Sequence, residues 1–324
     1  MRDSKKYFLV GGAGFIGSHF TSRLLSDVKT HAVTIFDNFS SGREWHHEAY
    51  ANDPRLRVLR GDVRDLEWLT EAMRGHEVVI HLASNPDIAR AASEPTIDFY
   101  AGTLLTNNIV EAMRCSEVPL LLYASGSGVY GELGEMRVSE DYGPLKPVST
   151  YGASKLAGEA LIAAYCAMFG LDAVAFRFGN VVGARQTHGV GFDFVRRLSV
   201  NAKRLRILGD GKQSKSYVHV SDVVSAVLYV AARAPKGFSV FNVSTDDAVT
   251  VTEIAELVAE SMGEGIAPEF EYTGGDRGWK GDVPVMRLDT LRIRSLGWAP
   301  SMNSREAIRR SIEEMIADER ILQS

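Results

Sequence analysis

The residues best able to do chemistry are Tyr151 and Lys155, in the stretch Tyr151-Gly-Ala-Ser-Lys155. The stretch opens a predicted helix, Ser154 to Phe169, with Gly170 at its C-terminal stop. A four-residue separation stacks the phenol and the ammonium on one helical face, about one turn apart. A phenol with an ordinary pKa of about 10 is a poor base at neutral pH, but a neighbouring ammonium stabilises the phenolate. Tyr151 can then remove a hydroxyl proton while hydride leaves the same carbon. Alone the pair is a weak signal, because Tyr and Lys at this spacing usually mark a solvated helix face.

A hydride acceptor is implied at the other end of the chain. Gly11-Gly-Ala-Gly14-Phe15-Ile16-Gly17 follows a strand, Tyr7 to Val10, and opens a helix, so its glycines stand where backbone must approach a pyrophosphate at a helix N-terminus. Asp37 ends the second strand, about 20 residues beyond the turn, where a carboxylate can accept both hydroxyls of an adenosine ribose. It also repels a 2′-phosphate, which favours NAD over NADP although the cation Arg43 is near.

The elements that must position these groups alternate. Short β-rich runs at Tyr7 to Val10, Ala32 to Phe36, Leu56 to Leu59, Val78 to Leu82, Leu120 to Ala124 and Ala173 to Phe176 are separated by helical periodicity at Phe15 to Ser26, Leu66 to Met73 and Thr96 to Met113. That rhythm predicts an α/β protein: a Rossmann-type doubly wound parallel sheet with a smaller C-terminal α/β lobe for substrate. We expect an NAD-binding domain over 1–178, with a strand at 239–244 returning to its sheet, and the second lobe over 179–324. There, helices are expected at Val251 to Met262 and Ser304 to Ala317, with a Gly-rich loop at Thr273 to Pro284.

Composition narrows the function classes. A net charge of -5 gives no general attraction to polyanions, so nucleic acid is not an expected partner. No apolar run reaches membrane-spanning length and the N-terminus lacks a signal peptide's apolar region, so a cytoplasmic location is expected and no membrane partner. Cys115 and Cys166 are too few for a disulfide framework or a zinc site and are expected to be inert packing residues, with no metal.

With Gly11 to Gly17, Asp37-Asn38-Phe-Ser-Ser41-Gly42, Val129-Tyr-Gly131, Tyr151 to Lys155, Arg177-Phe-Gly-Asn180-Val-Val-Gly183, Gly209-Asp-Gly211, Tyr217-Val-His-Val220 and Gly281-Asp-Val-Pro284, nearly the whole chain resembles the NAD-dependent epimerase and dehydratase family, an extended short-chain dehydrogenase group, nearest its nucleotide-sugar 4-epimerases. The resemblance implies NAD held by Gly11, Gly14, Phe15, Ile16, Gly17, Asp37, Asn38, Ser41, Gly42, Asp62, Val63, Leu82, Ala83, Tyr151 and Lys155. It implies a nucleotide-diphosphate sugar, most simply a UDP-sugar, bound by Ser127, Asn180, Arg185, Lys215 and Arg277. Gly189 to Phe194 resembles the segment that packs on the nucleotide base, although two aromatics so spaced also suit a core. Dimerisation through the helices at Thr96 to Met113 and Ser154 to Phe169 is implied too.

Two departures stand out. Where the family carries a Ser or Thr four residues before the Tyr of Val-Tyr-Gly, this chain has Gly126, so Ser125 or Ser127, or a water, is expected to relay the proton. Gly102 falls where relatives commonly have Asn. The Asp-Glu pair of 4,6-dehydratases is replaced by Ser127 and Gly128, which disfavours dehydration. What remains is oxidation at C4 with hydride return to the opposite face, an NAD-dependent epimerase. The alternatives are a 4-dehydrogenase that releases the keto sugar, and a silent NAD or nucleotide-sugar binding protein.

Overall fold

Strand β1 (Lys5–Val10) ends in Phe8, Leu9 and Val10, none of which has exposed surface. The same unbroken burial runs through β4 (Val78–His81), most of β5 (Leu120–Gly126) and the strand Asp172–Phe178. Continuous rather than alternating burial is what a parallel sheet covered on both faces requires. The computed structural model describes residues 5–233, 236–263, 265–318 and 320. Its seven-stranded sheet has the order Phe238–Val243, Asp172–Phe178, β5, β4, β1, β2 (Thr30–Asp37) and β3 (Leu56–Arg60). β3, the mostly exposed one, lies at the edge. β1 pairs in parallel with β2 on one side and with β4 on the other, so the strand order reverses beside β1, at the point where a doubly wound sheet binds ligands.

The chain divides into two compact units. The first comprises Met1–Gly126, Thr150–Arg177 and Val227–Phe241, and the second Ser127–Ser149, Phe178–Ala226 and Asn242–Ser324. The sequence places a single boundary at 178/179; the structure adds Ser127–Ser149 to the second unit, and the strand expected at 239–244 does enter the main sheet as Phe238–Val243. In the first unit, α1 (Phe15–Leu25), α2 (Leu66–Met73), α3 (Leu104–Ser116) and α4 (Thr150–Phe169) flank the sheet. The helix expected from Thr96 starts with one widened π turn, Phe99–Thr103, before α3. Cys166 is buried as expected, whereas Cys115 is exposed beside Glu111 and Arg114, because it falls on the solvent side of α3.

In the second unit, α5 (Val190–Val200), the first part of α6 (Val220–Ala231, whose residues from Val227 on fall in the first unit), α7 (Val251–Ser261), the short α8 (Leu291–Ser295) and α9 (Ser304–Ile316) accompany small sheets, the largest of four short strands. Capping boxes Thr250/Glu253 and Asn303/Glu306 start α7 and α9, each satisfying orphan helix donors reciprocally. Phe192 and Phe194 pack with Ile254, Leu257, Ile308 and Ile312 in this unit's core, so the aromatic pair at 189–194 is core rather than an open platform. Among the described residues no helix is long and apolar enough to cross a membrane, and no His, Cys, Asp and Glu cluster could hold a metal ion.

Candidate functional site

The Gly-rich turn is built so that side chains are excluded. Gly11 has a φ of 78°, and a Cβ there would lie 2.7 Å from the Ala83 nitrogen. A Cβ on Gly17 would lie 2.6 Å from both Cα and O of Gly12, a backbone clash no rotamer relieves. Gly14 caps α1 with extended backbone and no side-chain hydrogen bond, which leaves the first helical N–H groups for an anion. Leu82 and Ala83 donate their N–H groups to the Val10 carbonyl and fix the end of β4 to β1.

Asp37 is buried and its two oxygens accept from the backbone N–H of Ala13 at 3.0 Å and of Phe39 at 2.8 Å. Each oxygen keeps a second lone pair for a ribose hydroxyl. Burial raises its pKa and these two hydrogen bonds oppose the rise. Gly42 lets the segment Asn38 to Ser41 lie against the turn, since a Cβ would be 2.8 Å from that of Ala13. His46 Nδ1 contacts the Ala13 carbonyl at 2.7 Å, a tie the sequence reading missed. Asp62 is held well below the usual carboxylate range by the Arg64 guanidinium at 2.7 Å, with Asn38 also donating to it at 3.3 Å. Buried Val63 offers its carbonyl to Asn108.

Tyr151 and Lys155 start α4 as expected, with the ammonium 5.5 Å from the phenol ring centroid. The ammonium donates to the Ala124 carbonyl at the end of β5, at 2.8 Å. Burial pushes Lys155 down to about 8, and Asp98 and Glu159 act the other way. Burial also raises the Tyr151 pKa, a hydrogen bond from Ser84 opposes this, and Asp98 adds to it. Burial is the largest cause of the Tyr151 shift, so the stabilisation of the phenolate expected from the Lys155 ammonium and a nicotinamide charge has desolvation to overcome. His81, buried against Tyr123 and hydrogen-bonded to Thr106 at 3.0 Å, is kept neutral by burial and by Lys155.

In the second unit each proposed phosphate anchor has a partner. Lys215 pairs with Asp282 at 2.5 Å, and one nitrogen of Arg277, Nη2, donates to both carboxylate oxygens of Glu132 at 2.9 Å. Asn180 donates to the Ser216 carbonyl at 3.2 Å. Arg185 sits in left-handed backbone, φ 65°, and its charge helps lower the pKa of Asp318. Tyr130 of Val-Tyr-Gly is buried and donates to Asn242 at 2.7 Å, a structural role.

Residues 7–244 match the description "NAD dependent epimerase/dehydratase family". The chain belongs to that family. A UDP-glucose 4-epimerase of Mycolicibacterium smegmatis is 34% identical over 313 residues, 94% of this chain and 96% of that one. A crystal structure of a UDP-galactose 4-epimerase is 35% identical and superposes with a TM-score of 0.85, covering 96% of this chain and 99% of the other. DesIV, a dTDP-glucose 4,6-dehydratase of Streptomyces venezuelae solved with NAD and TYD bound, has a TM-score of 0.88 at 26% identity, with 97% and 98% covered.

Against the family pattern, both glycine departures have a physical reading. Around Gly126 a Cβ would meet nothing within 4 Å, so no packing demands glycine there. At Gly102 a Cβ would lie 2.7 Å from the Ser154 hydroxyl oxygen, so a side chain there would require Ser154 on α4 to shift. Ser125, one of the two expected relay hydroxyls, is committed elsewhere: it donates to Glu159 at 2.5 Å, and Arg177 clamps the same carboxylate at 3.0 and 2.7 Å. Ser127 is half-buried in the first turn of the second unit. Ser84 closes the segment His81-Leu-Ala-Ser84, which by the family resemblance lies beside the cofactor, while Asp98 and Glu159 were missed; of these two only Glu159 had a visible signal, a carboxylate one further turn along the Tyr151–Lys155 helix.

Proposed function

We propose that this chain is an NAD-dependent nucleotide-sugar 4-epimerase of the UDP-hexose type. The observation that carries it is the joint presence in one unit of a glycine turn that a Cβ would fill, the Asp37 carboxylate and the Tyr151–Lys155 pair. These residues fit NAD: Gly11, Gly14 and Gly17 would admit the pyrophosphate, Asp37 the adenosine ribose, and Lys155 the nicotinamide ribose. NAD, when bound, supplies a reversible hydride acceptor and a positive charge near the phenol.

Tyr151 takes the proton of the sugar's C4 hydroxyl as hydride leaves C4, and gives a proton back after the keto sugar has turned its other face. Lys155 favours the phenolate electrostatically and, through the Ala124 carbonyl, keeps its place at the end of β5. For the diphosphate, Arg277 is the better anchor. Its pair with Glu132 is a third or more exposed on both sides, 36% and 42%, and solvent screens such pairs, so they contribute little. The Lys215–Asp282 pair is largely buried, with side chains 21% and 7% exposed, and exchanging its partner costs more. Asn180, Arg185 and Ser127 complete the proposed set. A homodimer in the cytoplasm belongs to the same reading, and sedimentation tests the dimer.

Tyr151→Phe tests the assignment. It is expected to bind NAD as the parent does while losing turnover of UDP-glucose and UDP-galactose by about a hundredfold or more. Parental turnover in this variant would remove Tyr151 from the mechanism.

A further inference from the structure

We propose that Glu159 is a positioning residue for Lys155: its buried carboxylate, shared between Ser125 and Arg177, fixes the carbonyl that receives the ammonium and places a negative charge one helical turn beyond it. This rests on the reading of Lys155 as the electrostatic partner of Tyr151.

Tyr151, Lys155 and Glu159 follow one another at four-residue intervals along α4, so their side chains leave one helical face. The Glu159 carboxylate has its place set by three donors. Oε1 accepts from the Ser125 hydroxyl at 2.5 Å and from Arg177 Nε at 3.0 Å, and Oε2 accepts from Arg177 Nη2 at 2.7 Å. Ser125 lies in β5 and Arg177 in Asp172–Phe178, the strand beside it, each one residue short of its strand's end. One side chain of α4 therefore clamps two neighbouring strands where they finish. The residue before Ser125 is Ala124, whose carbonyl takes the Lys155 ammonium at 2.8 Å. The lysine is thus held at its root by α4 and at its head by a carbonyl that Glu159 ties to the same helix.

Charge adds a second constraint. Lys155, Glu159 and Arg177 are all buried, where charges act on one another more strongly than in water. Burial pushes Lys155 down to about 8, and Asp98 and Glu159 oppose that fall. With Glu159 present the ammonium has an attracting charge; with Glu159 removed, the Arg177 guanidinium stays behind as a like charge that disfavours it. The other charged or titratable groups around Lys155 are Tyr151 on α4, Tyr123 from β5, His81 from β4 and Asp98 ahead of α3. The two halves of the clamp should therefore act on Lys155 with opposite signs, although losing either one breaks the same contact.

The test reads Lys155 ionisation by 15N NMR of the full NAD-free chain, with Lys155→Met identifying the signal. Glu159→Gln is expected to lower the midpoint from about 8 by about one pH unit or more, and Arg177→Leu to raise it by about as much. The double variant should fall between the two. Arg177→Gln, which also removes the charge, takes the place of Arg177→Leu if that variant does not fold. Ser125→Ala tests the tie through Ala124 without changing any charge: kcat should fall by about threefold to tenfold with KM and NAD affinity unchanged, and Ser125→Thr should restore it. Midpoints that move together or stay in place overturn the proposal, because a clamp that only staples the fold has no reason to move them apart; so does parental kcat in Ser125→Ala. The titrations need no sugar, so they judge Glu159 even if the chain turns over none of the sugars tested, an outcome that would count against the epimerase reading alone.

Discussion

Removing Arg177 from beneath the site should be costly far beyond a single hydrogen bond. Its guanidinium meets Glu159 through Nε at 3.0 Å and Nη2 at 2.7 Å, and the two side chains are only 4% and 5% exposed. Arg177→Leu leaves a buried carboxylate with the Ser125 hydroxyl and no counter-cation at contact distance. Breaking one half of such a pair costs about 3–5 kcal/mol, a large fraction of the 5–15 kcal/mol that holds a typical domain. The assay is equilibrium urea unfolding near neutral pH, following Trp45 and Trp68 of the first unit. Replacing both partners by Leu should recover much of the loss, because the desolvation cost goes with the charges. A deficit below about 1 kcal/mol in Arg177→Leu, or a double variant no more stable than the single one, would refute this account of the pair.

Gly17→Ala drives a Cβ to 2.6 Å from Gly12 backbone, so NAD affinity measured by calorimetry should fall by about tenfold to a hundredfold. Gly126→Ala, by contrast, meets open space and should change unfolding stability by no more than about 0.5 kcal/mol. Glu132→Gln releases Arg277 and should tighten UDP binding by about twofold to fivefold at low salt, with the gain shrinking as salt rises. Lys155, pushed down to about 8 by burial, should show that midpoint by 15N NMR in the NAD-free protein. Its unfolded value is about 10.4, so the unfolded chain binds more protons between the two and stability should rise with pH across that window, an increment Lys155→Met abolishes.

How much was legible follows from where each signal lies. β1, the glycine turn, Asp37 and the Tyr151–Lys155 pair are local patterns with fixed spacing, and periodicity placed their strands and helices to within a few residues. The transfer of Ser127–Ser149 to the second unit was not legible, because it depends on where Arg137–Val138 finds a strand partner, in Val285–Leu288, far along the chain. The hydrogen bonds that Asp98 accepts from Asn85 and Thr150 were hidden for the same reason: all three are ordinary polar residues until the fold brings them together. Charges misled in another way. Lys215 and Arg277 look available in sequence, but a chain that holds cations near one another also supplies Asp282 and Glu132 to neutralise them.

The most direct test of the central claim is proton NMR of the purified protein with UDP-glucose, UDP-galactose and a panel of other nucleotide sugars, with NADH absorbance read on the same samples. The account predicts the anomeric signal of a C4 epimer growing to equilibrium with no net NADH. Accumulation of NADH alongside a keto sugar, or no change in any sugar while NAD is bound, would contradict it.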